Sequence, residues 1–293
     1  MNVLTVENFS VDYLVDPVVH AVRDVSFELK RGEVLGLAGE SGCGKSTLAY
    51  GIVRLLKPPA TISSGHAVFH SREGHDIDWG DLSPEDLRAA RWDKISMVFQ
   101  GAMNSLNPVI SIRDQFEDIF ETHRPSLGRK ERRARCGDLL ERVGVDRARL
   151  NSYPHELSGG MRQRVMIAMA MALEPQIMIM DEPTTALDVV VQREILREIS
   201  RLRDELGFAV IFITHDLPLL LEISDRIAVM RQGEIVELGD ALDLYTDPKH
   251  EYTRQLLASF PSLTGDRGSF VRGAMDDRLL ALDAVTVGEE PAS

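Results

Sequence analysis

The chain has 293 residues, of which 44% are hydrophobic, and its formal net charge is −13. This composition supports a sizeable folded core, and the acidic excess argues against a nucleic-acid partner, because binding to phosphate backbones depends on Lys and Arg. With only Cys43 and Cys136, the chain cannot build a disulfide framework or a four-cysteine metal site, and a reducing compartment is favoured. No apolar run approaches the roughly 20 residues that span a bilayer, so a role at a membrane would require other subunits to supply the spans.

The N-terminal third, residues 1 to about 95, is predicted to be rich in β-structure that surrounds a glycine-rich loop. Tyr13 lies in an alternating strand pattern at its start. Taken alone, a tyrosine in such a strand is more often a packing residue than a ligand contact.

The glycine-rich loop lies between a predicted strand and a predicted helix. Val34–Ala38 is apolar throughout, and apolar residues recur at helical spacing from Leu48 until Pro58 and Pro59 end the helix. The loop fits the pattern G-x-x-x-x-G-K-[ST] and is followed by a threonine: Gly39, Glu40, Ser41, Gly42, Cys43, Gly44, Lys45, Ser46 and Thr47. Glycines let consecutive N–H groups point at phosphate oxygens, and the helix N-terminus adds partial positive charge.

This loop predicts a nucleotide site in which each polar side chain has its own role. Lys45 would reach the β- and γ-phosphates, the Ser46 hydroxyl would ligate Mg²⁺, and Thr47 would lie near the phosphates. The alternative is a chance glycine turn, which the flanking strand and helix disfavour.

After a short apolar strand at 97–99 and Gln100, the pattern becomes helical and charged, notably over Arg129–Arg142. An Arg-rich segment could form an RNA-binding face, but the mixed charge signs favour a solvated helix.

Further along, Ser158 and the glycines Gly159 and Gly160 precede another helical pattern. A serine N-cap, two glycines and a helix dipole could form a second phosphate site, although a plain capped helix is the commoner explanation.

Two adjacent carboxylates end the next predicted strand. The run 177–180 is apolar throughout, as in a parallel strand buried on both faces, and Asp181 and Glu182 follow it. Because successive strand residues point in opposite directions, Asp181 is assigned to Mg²⁺ and Glu182 to the general base that activates water. The alternative is a pair that merely caps a solvent-exposed strand end.

The remaining elements include core structure and one further candidate. Apolar residues at helical spacing predict a core helix over 191–206, capped by Gly207. His215 follows an apolar strand at 208–213 and, taken alone, suggests a hydrogen-bonded core histidine. A hairpin is predicted over 226–238 with its turn at Gln232 and Gly233, and residues 265–293 carry little periodic signal.

Taken in order, these motifs resemble the ABC ATPases. The matching features are the phosphate loop, Gln100 after its strand, the sequence Leu-Ser-Gly-Gly-Met at 157–161, Asp181-Glu182, Ala-Leu-Asp at 186–188 and His215 after its strand. The resemblance implies an α/β P-loop (RecA-like) nucleotide-binding domain over 1–238, with an antiparallel β subdomain and a helical subdomain at about 101–165. A C-terminal extension over 239–293 would follow.

The resemblance also implies roles that the residues alone do not give. Gln100 would complete the Mg²⁺ and water shell, His215 would contact the γ-phosphate, and Tyr13 would stack on adenine. Asp188 would link sites across a dimer in which Ser158 to Gly160 close over ATP held by the partner. Since the chain carries one set of motifs and no internal repeat, it would form half of that dimer.

Three segments narrow the resemblance to oligopeptide and dipeptide importers: 105–108, 153–157 and 248–253. The Leu-Ser-Gly-Gly-Met sequence resembles the D-type subunit, which pairs with an F-type ATPase and two transmembrane permeases at the cytoplasmic face of the membrane. An extracellular solute-binding protein would act indirectly, and the cargo could be peptides or oligosaccharides. No cysteine follows Cys136, so we expect no iron–sulfur cluster. The alternative is a soluble ABC ATPase that acts on ribosomes or DNA.

Overall fold

The computed structural model describes residues 1–72, 74–102, 105–185 and 187–259. The predicted tail at 265–293 and Ala186 of the Ala-Leu-Asp motif lie outside this part of the chain. The elements in chain order are β1 (Asn2–Tyr13), β2 (Val19–Lys30), β3 (Val34–Ala38), α1 (Lys45–Ile52), β4 (Ala60–His70), β5 (Asp76–Asp78), α2 (Pro84–Asp93), β6 (Ile95–Val98), α3 (Ile112–His123), α4 (Arg129–Arg142), α5 (Gly159–Ala170), β7 (Ile177–Asp181), α6 (Val189–Leu206), β8 (Ala209–Ile213), α7 (Leu217–Ile223), β9 (Arg226–Arg231), β10 (Glu234–Asp240), α8 (Ala241–Thr246) and α9 (Glu251–Ala258).

The N-terminal strands form an antiparallel sheet in the order β2-β1-β4-β5. Strand β1 turns Leu4, Val6 and Val11 into the core, as expected for a strand with one buried face. Its last residue, Tyr13, pairs with Val19 of β2. This pairing sets the end of the sheet beside the phosphate loop, since Tyr13 and Val19 line the same cavity as that loop.

A second sheet has the order β10-β9-β3-β8-β7-β6. Strands β3, β7 and β8 are buried along their whole length, which explains their unbroken apolar sequences. Strands β3, β6, β7, β8 and β9 run parallel to their neighbours within this set. Their carboxyl ends therefore lie at one edge, and the glycine-rich loop, Gln100, Asp181 and His215 all follow strands that end there.

Helices α3, α4 and α5 pack together between β6 and β7 in the chain. Phe116, Phe120, Leu140 and Val165 are fully buried among them. Helix α5 continues to Ala170, five residues beyond the predicted end of the helical subdomain at 165. The charged α4 exposes most of its arginines, in agreement with a solvated helix.

The predicted core helix and hairpin are both present. Helix α6 buries Ile195, Ile199 and Leu202 and ends at Gly207, which has the left-handed conformation that favours glycine. Strands β9 and β10 form the hairpin, with Gln232 and Gly233 at positive φ in its turn. Helices α8 and α9 follow and contribute Ala241, Leu244 and Tyr252 to the core. Among the described residues, we find no helix with the length and apolar character that a bilayer crossing needs.

Candidate nucleotide site

The glycine-rich loop turns sharply between β3 and α1. Gly39 and Gly44 have φ values of 144° and 108°, and a Cβ atom at either position would lie 2.3 or 2.2 Å from a backbone oxygen, of Met230 and Ala21 respectively. Only glycine fits there without displacing the neighbouring backbone. The loop therefore packs directly against β2 and β9.

Lys45 lies at the centre of this loop. Its side chain is buried, and Nζ donates hydrogen bonds to the carbonyl oxygens of Gly39 at 2.7 Å and Glu40 at 2.8 Å. The Cys43 sulfur lies 3.6 Å from the same nitrogen. These acceptors are neutral, so an anionic phosphate oxygen would be a stronger partner for the ammonium.

Ser46 and Asp181 form the second part of the site. The Ser46 hydroxyl donates to Asp181 Oδ1 at 3.0 Å, and Asp181 is fully buried. Burial and the negative charge of Glu182 raise the pKa of Asp181. Its Oδ2 atom is buried and has no hydrogen-bond partner among the described residues. Oxygen donors with an unsatisfied carboxylate suit Mg²⁺, whose charge would offset the cost of a buried carboxylate.

Glu182 has a different set of hydrogen-bond partners from Asp181. Its carboxylate accepts hydrogen bonds from Gln100 Nε2 at 2.9 Å and Thr185 Oγ1 at 3.1 Å, and it lies 2.9 Å from His215 Nδ1. Burial by itself raises the pKa of Glu182, but the hydrogen bonds from His215 and Thr185 outweigh it, so the pKa lies below its usual value. Glu182 is thus an ionised acceptor in reach of the cavity.

Two of the simpler alternatives are wrong. Asp181 does not cap an exposed strand end, because its exposed fraction is 0%. His215 is not a core histidine, because its side chain is 61% exposed and contacts Glu182. Thr185 was not predicted, although it lies three residues after Glu182 in a turn that could have suggested a side-chain contact.

An open cavity of about 670 Å³ lies beside these groups, and neither Asp181 nor His215 is among the described residues that line it. The predicted residues that line it are Tyr13, Ser41, Gly42, Gly44, Lys45, Ser46, Thr47, Gln100 and Glu182. Tyr13 lines the cavity and its hydroxyl lies 3.3 Å from Thr47 Oγ1. Gly39, Glu40 and Cys43 are not among the lining residues and instead surround the Lys45 ammonium.

Sequence reasoning missed part of this lining. Val19, His20, Ala21 and Arg23 of β2 face the cavity, and so does the turn between β9 and β10. Arg23 Nε donates to the Gln232 carbonyl oxygen at 3.0 Å and ties these two pieces together. The strand pattern of β2 gives no sign of this role, because the role depends on pairing with residues more than 200 positions away.

The family model described as "ABC transporter" matches residues 22–185, which is more than half of the chain. The chain belongs to the ABC transporter family. Among curated relatives, the chain is 42% identical over 271 residues to the glutathione import ATP-binding protein GsiA of Shigella flexneri, covering 91% of this chain and 43% of that protein. It is 48% identical over 244 residues to the peptidoglycan transport ATP-binding protein YejF of Agrobacterium fabrum, covering 82% and 44%. The chain spans less than half the length of these relatives.

Solved ABC cassettes share the fold. One is the dimeric post-hydrolysis state of the cassette MJ0796 bound to ADP and Pi, with a TM-score of 0.70 and 30% identity, covering 81% of this chain and 98% of that one. Another is cbiO1 from Clostridium perfringens, part of the ABC transporter complex cbiONQ, with a TM-score of 0.68 and 29% identity, covering 89% and 96%.

The second glycine motif of this ABC chain lies apart from the cavity. Ser158 is exposed and caps α5 by accepting a hydrogen bond from the Met161 N–H at 3.3 Å. A Cβ atom at Gly160 would lie 2.8 Å from Val191 Cγ1, so this glycine allows α5 to approach α6 closely. Ser158, Gly159 and Gly160 are not among the described residues that line the cavity.

Asp188 has a similar position at the start of α6. Its carboxylate accepts hydrogen bonds from the Val190 and Val191 N–H groups at 3.1 and 3.0 Å, which makes it the N-cap of that helix. Val189 and Val190 beside it are 64% and 69% exposed. The structure therefore gives Asp188 a capping role within the chain and leaves two apolar side chains in solvent next to it.

Proposed function

We propose that the chain binds ATP with Mg²⁺ and hydrolyses it to ADP and phosphate, as the energy-supplying subunit of a membrane importer. The observation that carries this proposal is the contact of Glu182 with Gln100 and His215 beside the paired Ser46 and Asp181. Glu182 would thereby accept a proton, and Asp181 would bind a metal ion. Lys45 completes the arrangement with a positive charge in the phosphate loop.

Each group then has a defined task. Lys45 and the N–H groups of the loop would hold the β- and γ-phosphates. Ser46, Asp181 and Gln100 would hold Mg²⁺, which neutralises charge that develops on the phosphate oxygens when it is bound. Glu182 takes a proton from water as the water oxygen bonds to the γ-phosphorus. The bond between that phosphorus and the β,γ-bridging oxygen breaks, and ADP and phosphate are released.

The hydrogen bonds on Glu182 orient its carboxylate beside the cavity. The carboxylate is ionised at neutral pH and can accept a proton, while its lowered pKa makes it a weaker base than an ordinary glutamate. His215 is 61% exposed and its Nδ1 contacts one Glu182 carboxylate oxygen, and its ring would contact a γ-phosphate. Tyr13, which lines the same cavity, would stack on adenine.

We propose that a second ABC ATPase subunit completes the site. Ser158, Gly159 and Gly160 lie away from the chain's own cavity, and Asp188 lies on an exposed surface, as expected if they face ATP held by a partner. The solved cassette of 30% identity is dimeric with ADP and Pi. An F-type relative of this D-type chain is the partner that its sequence motifs favour.

For the transported solute we propose di- or oligopeptides, or a similar solute such as an oligosaccharide. The two relatives are named for glutathione import and for peptidoglycan transport, and both glutathione and peptidoglycan contain peptides. The chain would work with two permease subunits at the cytoplasmic face of the membrane, and an extracellular solute-binding protein would deliver the cargo.

The test is isolation of the assembled complex. A tagged chain is purified from detergent-solubilised membranes of its source cells, and the co-purified proteins are identified by mass spectrometry. We expect a second ABC ATPase and two polytopic permeases, and the associated binding protein should carry a peptide or an oligosaccharide. Recovery with ribosomes or DNA in place of permeases would contradict the proposal.

A further inference from the structure

A side chain of the C-terminal helix α9 touches the phosphate loop. The Glu40 backbone N–H donates a hydrogen bond to Tyr252 Oη at 3.2 Å, across 212 residues of sequence. Tyr252 is only 3% exposed and belongs to the main core. The phosphate loop is therefore in contact with a buried side chain of the C-terminal extension.

The contact falls on the peptide group that joins Gly39 to Glu40. The N–H of this group points to Tyr252, and its carbonyl oxygen, which belongs to Gly39, accepts a hydrogen bond from Lys45 Nζ at 2.7 Å. Because N–H and C=O lie on opposite sides of a trans peptide, one orientation of the group satisfies both contacts. Gly39, at a φ of 144°, would otherwise leave this peptide free to rotate.

The tyrosine ring and the segment that precedes it are both held in place. The Arg231 guanidinium lies over its ring, 4.8 Å from the ring centre. The N–H groups of Lys249 and His250, just before α9, donate to the carboxylate of Glu237 on β10 at 2.7 and 3.0 Å. Burial raises the pKa of Tyr252, so the phenol stays neutral at physiological pH. The C-terminal extension is thus fixed to the hairpin and reaches the loop through one hydroxyl.

We propose that Tyr252 is a positioning residue of the nucleotide site, which orients the Gly39–Glu40 peptide so that Lys45 is held ready for the phosphates. The C-terminal extension then sets the affinity of the site for ATP. The inference rests on the ATP binding proposed above and is independent of the solute transported. Its physical basis is preorganisation, since a loop that is already ordered loses less entropy when it binds.

The test is a pair of Tyr→Phe variants of the full chain. Tyr252→Phe keeps the ring in the core and removes only the hydroxyl, so the Glu40 N–H loses its partner. We expect the Kd and the KM for ATP to rise about three- to tenfold, the equivalent of one neutral hydrogen bond, while kcat changes less than about twofold. Tyr245→Phe, in α8 of the same extension, is the matched control and should bind ATP like the unaltered chain.

Equilibrium binding of ATP with Mg²⁺ to the purified chains is measured first, by calorimetry. A folding defect would lower the fraction of active protein without changing the Kd of that fraction, so the rise in Kd separates positioning from mere stability. An unchanged Kd for Tyr252→Phe, or an equal rise in both variants, would overturn the inference and leave ATP binding intact. Absence of ATP binding to the unaltered chain would overturn both proposals.

Discussion

The chain contains two glycine motifs at helix N-termini, and the residues that surround the two motifs differ. The phosphate loop before α1 surrounds a buried lysine, lines a cavity and meets a second set of groups at Asp181 and Glu182. The Ser158 motif before α5 is exposed, carries no lysine in its first turn and lies outside that cavity. A helix N-terminus with glycines is therefore only half of a phosphate site, and the surrounding groups decide whether it is complete within one chain.

The largest expected effect comes from Glu182→Gln. This variant should keep the Ser158 motif of one subunit on the ATP that is held by the phosphate loop of the other. The amide cannot take the proton, so we expect turnover to fall at least about 100-fold while ATP binding persists. ATP should then hold the chain and its partner subunit together, which size-exclusion chromatography of the two subunits with ATP and Mg²⁺ would detect. Normal steady-state hydrolysis by this variant would eliminate Glu182 as the base.

Lys45→Ala should act on the first motif alone. It removes a charge-assisted phosphate contact worth about 1.5–3 kcal/mol, so the Kd for ATP should rise roughly 10- to 150-fold. The matched control is Lys57→Ala, which removes an exposed lysine just beyond the helix that follows the loop. If Lys45→Ala and Lys57→Ala bound ATP with equal affinity in a calorimetric titration, the assignment of the phosphate loop would be contradicted.

The smallest expected effect, and the one that separates the two motifs, comes from Ser158→Asp. Aspartate is as good an N-cap as serine, so α5 should remain stable, but its charge would repel a triphosphate held by a partner. In a Glu182→Gln background we expect about tenfold weaker ATP-dependent association, since one charge repulsion of about 1.4 kcal/mol has that effect. ATP binding to the single chain should not change.

Ser158→Thr supplies the uncharged control for that experiment, because threonine also caps a helix. Association should be retained with threonine and weakened with aspartate. A loss of ATP affinity in the single chain carrying Ser158→Asp would place this motif in its own chain's site and remove the contrast between the two motifs.

The sequence predicted those parts of the site that depend on local order. A buried strand, a glycine loop and a helix follow one another within the first sixty residues, so the position of Lys45 could be derived from neighbours alone. Alternation along a strand does not separate Asp181 from Glu182, because the strand ends at Asp181 and Glu182 has a φ of 47°. The parallel strand order then brought the predicted residues to one edge of the sheet.

Contacts between distant segments could not be derived in this way. The residues of β2 that line the cavity reach it through pairing with β1 and packing against the β9–β10 turn. The contact between Tyr252 and Glu40 depends on where α9 folds back, and no pattern near Tyr252 encodes that position. The resemblance to ABC ATPases supplied Gln100 and His215, whose contact with Glu182 local reasoning had no means to predict.

The exposed pair Val189 and Val190 bears on the dimer proposed above. Each valine is about two-thirds exposed, so covering it would contribute about 1–2 kcal/mol. If the proposed contact covered both valines of each subunit, the four side chains would contribute roughly 4–8 kcal/mol, within the roughly 4–15 kcal/mol that association costs. These valines alone would then not hold two subunits together, and the bound nucleotide would have to supply the remaining free energy.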